Sequence, residues 1–147
     1  DFEYFKDYQN DIILSGTRAK ELALRLKKGD DLKKCIEEAC KDIDTAVVLS
    51  GVGCLYHAHF RLAKAEGYFD KQEDYEIVSL NGTVSKGHAH IHISLTDDNC
   101  NTVGGHLTEG CLVNTTCELV LGILEEYSSH REYDESTGYD EIVFERR

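Results

Sequence analysis

The strongest constraint on this chain is a strict two-residue alternation, Gly87-His88-Ala89-His90-Ile91-His92-Ile93-Ser94-Leu95. Two residues is the period of a β-strand, in which successive side chains point to opposite faces of a sheet. Ile91 and Ile93 then face a core. His88, His90 and His92 share the other face.

Most of the remaining chain also reads as strand. Leu22, Leu24 and Leu26 alternate with polar neighbours between Lys20 and Lys27, and Gly29-Asp30 closes that segment. Leu32, Cys35, Ile36, Ala39, Cys40 and Ile43 instead follow helical spacing, with Glu37, Glu38 and Lys41 toward water. One helix is predicted over about residues 31–42, capped by Asp30 or Asp31. Ala46–Ser50 is a β-branched, apolar strand, and Gly51 and Gly53 allow a bend or bulge after it. Further strands are predicted at Leu55–Ala63, Tyr75–Val84 and Val113–Ile123, with a turn at Glu135–Gly138 and a last strand at Ile142–Phe144. Ile12-Ile13-Leu14 reads as a short strand in a tyrosine-rich, polar start covering residues 1–18. Many strands, one early helix and short turns predict an α+β domain with a mostly antiparallel sheet.

Composition limits the function classes. The 147 residues favour a single domain, and 41% hydrophobic content is enough for a packed core. No stretch approaches the roughly 20 apolar residues of a membrane span. Asp1-Phe2-Glu3-Tyr4 is acidic and aromatic, not a basic segment leading into an apolar one. No signal peptide is expected, and the cytoplasm is the expected compartment. Cys35, Cys40, Cys54, Cys100, Cys111 and Cys117 form no Cys-x-x-Cys pair, so reduced thiols packed as small hydrophobes are expected. The formal net charge is -12, opposite to the basic surface a duplex-binding domain uses against phosphates.

The three alternating histidines are the main chemical signal. Imidazoles on one strand face stand about 6–7 Å apart at successive positions, where they are costly to protonate together and placed to converge on a cation. Val103-Gly104-Gly105-His106-Leu107 follows, and a tight turn at the two glycines is expected to swing His106 toward the same face. Neutral imidazole suits Zn²⁺ and also Cu, Ni and Fe²⁺, and three such ligands leave a position for water or substrate. His57 and His59 share a strand face but lack such a partner, and read as surface residues. His130 falls in a polar loop. Glu109 and Glu118 are nearby carboxylates, candidates for a fourth ligand or a general base.

Other motifs fall away. Gly82 to His90 matches the opening of a cupin metal motif, but Ser94 and Leu95 occupy the place of its glutamate. Gly51-x-Gly53 has no third glycine for a dinucleotide fingerprint, and there is no Walker loop or nucleophile elbow. Cys111 and Cys117 sit in apolar runs, a poor setting for nucleophiles.

The ordered motifs resemble one known family. Ile77-Val78-Ser79-Leu80-Asn81-Gly82, His90-Ile91-His92-Ile93-Ser94-Leu95, Gly104-Gly105-His106-Leu107-x-x-Gly110 and Thr116-x-Glu118 are similar to the PPC domain, also called DUF296. Leu24-Arg25-Leu26-x-x-Gly29-Asp30-Asp31, Leu49-Ser50-Gly51-Val52-Gly53 and Tyr133–Gly138 extend the likeness over about residues 20–146. Residues 1–18 then form an extension or divergent start, and residues 19–147 the domain. The resemblance implies an α+β fold, a homotrimer, and a metal site at His90, His92 and His106. His88 is an addition to the pattern and a candidate further ligand, as is Glu109. Plant members pair the domain with AT-hook segments in nuclear DNA-binding proteins. This chain has no Arg-Gly-Arg hook and resembles the stand-alone prokaryotic members.

Three functions follow as expectations. The first is a trimeric protein holding Zn²⁺ or another divalent transition metal, with an enzymatic version for which no reaction can be named. The second is a DNA-associated regulatory module, opposed by the charge. The third is a sensor whose histidine face binds a small ligand.

Overall fold

A computed structural model describes residues 20–147, so the expected Ile12–Leu14 strand lies outside the described residues. The order is β1 (Lys20–Lys27), α1 (Leu32–Ala39), β2 (Thr45–Arg61), β3 (Tyr68–Ser85), β4 (His88–Thr96), β5 (Thr102–Leu107), β6 (Leu112–Ile123), β7 (Tyr127–Asp134) and β8 (Tyr139–Arg146). A short 3₁₀ turn, Ala63–Ala65, links β2 to β3. The large sheet runs β1-β6-β2-β3-β4-β5, and β7 and β8 form a separate hairpin. Every ladder is antiparallel. No described helix is long and apolar enough to cross a membrane.

The sheet closes on itself. β2 pairs with β3 along one edge and with β6 along most of the other. Beyond His57 that second edge is taken over by β5, through Phe60↔Leu107 and Arg61↔His106. The strands β2-β3-β4-β5 thus return to β2 as a small barrel-like ring. Bulges near Ser50, Gly53, His57 and Ser79 provide the bend. The bend or bulge expected at Gly51 and Gly53 is present, but the strands predicted on either side of it are one continuous β2, because a bulge interrupts the ladder without ending it.

The core takes the apolar faces that alternation predicts. Leu26 of β1, Leu55, Ala58 and Phe60 of β2, Ile91, Ile93 and Leu95 of β4, and Val113, Leu119 and Leu121 of β6 are buried. Helix α1 adds Leu32, Ile36 and the following Cys40, all fully buried. Asp31 is the N-cap, accepting from the backbone N–H of Lys34 at 3.1 Å, while its second oxygen accepts from Gly110 at 2.7 Å. Asp30 instead accepts from Lys27 N–H at 2.8 Å and tightens the turn out of β1. The helix is shorter than the predicted 31–42 because its last turn tightens into an i→i+3 bond, Lys41 N–H to Glu38 O. Glu37, expected to face water, folds over the barrel and accepts from the β4 backbone at Ala89, 3.1 Å away.

The hairpin was only half legible. Glu135–Gly138 turns as predicted and leads into β8, but Tyr127–Asp134 is a strand where a polar loop was expected around His130. Its sequence lacks apolar alternation, and polar contacts hold it. Ser129 is fully buried, with its Oγ 2.7 Å from both Thr45 Oγ1 and Ser85 Oγ. The Ser129 N–H donates to Asp44 Oδ1 at 2.8 Å. This network fastens the hairpin to the start of β2 and the end of β3, beside the histidine face.

Candidate metal centre

Strand register assembles the site. On β4, Ala89, Ile91 and Ile93 are buried, and His88, His90 and His92 point away from the core. Across the ladder, His92 lies opposite His106 of β5, and His106 lies opposite Arg61 of β2. Directly opposed residues project to the same face. His92, His106 and Arg61 therefore form one row, with His90 two residues along β4.

The glycines before His106 work differently from the expected tight turn. Gly104 and Gly105 lie inside β5. A Cβ on Gly104 would come 2.4 Å from the Ile93 carbonyl oxygen, and one on Gly105 would come 2.4 Å from the Arg61 carbonyl oxygen and 2.7 Å from the Phe60 ring. Only glycine lets β5 fit between β4 and the end of β2. The motif sets the position of His106 through this close approach.

One nitrogen from each of His90, His92 and His106 can be chosen so that all lie within 4.8 Å of one another. The ring centroids are 5.2–5.8 Å apart. His106 is half-buried, and its Nδ1 is buried with no hydrogen-bond partner among the described residues. Burial, then the Arg61 guanidinium and the two neighbouring imidazoles, push the His106 pKa down to about 4. Burial, His92 and Arg131 hold His90 below its ordinary value. His106 therefore carries no proton charge at neutral pH and keeps a lone pair free. A buried nitrogen without a partner and a set of close imidazoles fit a borderline-soft divalent cation.

The site opens into a cleft of about 850 Å³. Its floor is the histidine face with Gly104 and Gly105, and the Ala63–Ala65 turn and Arg131, Tyr139, Asp140 and Glu141 of the hairpin form the walls. His88 is exposed and lines this cleft, outside the three-imidazole cluster. Glu109 does not line it; the carboxylate lies 3.8 Å from Lys34 beside α1. Glu118 is exposed on β6, opposite Arg25 and Val52. His57 is half-buried, 2.5 Å from Asp70, and His59 is 2.5 Å from Thr108 Oγ1 and stacks on Tyr68. His130 bonds Glu132 at 2.7 Å.

All six cysteines are free. Burial pushes Cys111 and Cys117 up to about 11, so both thiols are inert at neutral pH. The sequence reading missed Arg61 and Arg131, because only long-range pairing brings them to the histidines. It also missed an acidic group, Glu73, Asp97 and Asp98. Asp97 is occupied there in turn bonds to Asn99 and Asn101, and Glu73 in contacts to Lys71 and Tyr75.

The model of the Plants and Prokaryotes Conserved (PCC) domain matches residues 14–125. The chain belongs to this family. It is the family whose motifs the sequence resembles, there written PPC. The PCC match includes all of β1 to β6 and ends before the β7–β8 hairpin. A curated relative, the bifunctional protein GlmU of Synechococcus sp. (strain JA-2-3B'a(2-13)), is 40% identical over 121 residues. That alignment covers 81% of this chain and 19% of the relative, so the chain spans about a fifth of that protein's length. A hypothetical protein from Salmonella cholerae-suis has a similar structure, with TM-score 0.85, 30% identity, and coverage of 89% of this chain and 96% of that one. A metal-containing protein from Archaeoglobus fulgidus is similar at TM-score 0.69 and 33% identity, covering 84% of this chain and 93% of that one.

Proposed function

We propose that this PCC-domain protein is a homotrimer that binds a divalent transition metal, Zn²⁺ before others, through His90, His92 and His106. The observation that carries the reading is the cluster itself: nitrogens from three histidines on two adjacent strands, within 4.8 Å of one another. The register that pairs His92 with His106 and the glycines that admit β5 both serve this convergence. The likeness to a metal-containing protein at 33% identity supports it. The trimer is supported by the family and by Leu49, Val52 and Val78, apolar side chains more than half exposed on β2 and β3.

His90, His92 and His106 would hold the ion, and His88 stands at the edge of the same cleft as a further donor. Bound there, a divalent cation would supply Lewis-acid chemistry toward an oxygen ligand. The chain's own contribution is the cleft. The hairpin walls one side, Arg61 and Arg131 bring positive charge, and Asp140 and Glu141 bring carboxylates. The role this supports is metal-dependent binding of a small molecule.

Metal content by elemental analysis tests the reading. The wild-type chain is expected to retain about one equivalent after dialysis, and the double variant His90→Ala, His106→Ala to retain none. Equal metal in both proteins would remove the assignment.

A further inference from the structure

Two arginines line the cleft beside the histidines, each with buried donors that have no partner among the described residues. Arg131 Nε and Nη2 are buried and have no partner among the described residues. Its remaining arm, Nη1, donates to the Asp140 carbonyl oxygen at 3.3 Å. The two idle donors form one edge of the guanidinium, the side-on pair that meets both oxygens of a carboxylate or phosphate. Arg61, in the row of His92 and His106, also has a buried Nε without a partner. Neither arginine makes a salt bridge among the described residues. Asp140 and Glu141 line the same cleft and pair with neither.

A buried donor without an acceptor is costly, and folded chains pair such groups. Here two half-buried arginines carry such donors beside one cleft, on a chain whose formal net charge is -12. With so many carboxylates available, the arrangement leaves the fork of Arg131 and the Nε of Arg61 for a ligand. We propose that Arg131 and Arg61 form an oxyanion subsite beside the three histidines, which takes the carboxylate or phosphate group of a small molecule. The proposal deepens the metal-centre reading and rests on it for the ligand's second anchor, but the arginine contacts stand without the metal. A cleft of about 850 Å³ leaves room for a metabolite-sized body behind the anionic group.

Isothermal titration calorimetry with succinate and with inorganic phosphate tests this, on both zinc-loaded and chelator-treated protein. Zinc-loaded wild type is expected to bind at least one of the two saturably, and the preferred anion identifies the group recognised. Arg131→Gln is expected to weaken binding about tenfold or more with zinc content unchanged, and Arg131→Lys to recover only part, since it restores charge without the fork. Arg61→Gln, on β2, is expected to weaken binding as well and keeps the test decisive if Arg131→Gln fails to fold. Equal affinity in wild type and the arginine variants, or no saturable heat with either anion, overturns the subsite. Arginine-dependent anion binding by a chain that takes up no zinc removes the metal centre and leaves the subsite standing.

Discussion

Gly105 and His106 show how single residues set this site. Gly105 leaves no room for a side chain between β5 and the end of β2. Gly105→Ala is expected to cost about 1–3 kcal/mol in urea unfolding, and to lower zinc occupancy with it, because the backbone that carries His106 must shift. His106 also imposes a pH dependence on the metal-free protein. Its folded pKa lies near 4, and an unfolded histidine titrates near 6.5. Between those values the unfolded chain binds more protons, so stability rises with pH across the window. The contribution is complete above about 6.5 and is lost as pH falls toward about 4. A series of urea unfolding curves should show this slope in metal-free wild type and a flatter one in His106→Gln. Much of this residue-level picture was legible in the sequence. Strict alternation places His90 and His92 on one face, and the glycine pair marks His106. Arg61 and Arg131 were not legible, because nothing local to either residue signals a meeting that depends on which strands pair.

At the scale of elements, apolar period and turn chemistry predicted the parts of the sheet that the core holds. Lys20–Lys27 has the predicted bounds, and the strand expected over Val113–Ile123 runs one residue further, from Leu112. The β7–β8 hairpin is different. Ser128, Ser129, His130 and Arg131 give no apolar alternation, so local pattern rules find no strand there. The strand is held by the buried contacts of Ser129 to Thr45, Ser85 and Asp44. Ser129→Ala is therefore expected to leave the Thr45 and Ser85 hydroxyls short of a partner, at a cost of about 1–3 kcal/mol. Hydrogen exchange should show the loosening concentrated in β7 and β8, with β4 and β5 still protected. Uniform loosening of the whole chain would mean that the hairpin is not a separately fastened wall of the cleft.

For the whole molecule, the closed ring of β2, β3, β4 and β5 explains why a cluster of three histidines can form on the outer face of a small sheet. Closure brings the end of β2 against β5, which places the Arg61 guanidinium beside His106, an imidazole that burial already keeps neutral. The chain's formal net charge of -12 disfavours a nucleic-acid backbone, and the arginines that line the cleft are left as the place for a small anion. Native mass spectrometry of tag-free protein tests the central claim most directly, since it reads subunit number and bound metal together. The account predicts a trimer with one transition-metal ion per chain, and loss of that ion in the His90→Ala, His106→Ala variant. A wild-type chain that stays metal-free after Zn²⁺ is added would contradict it.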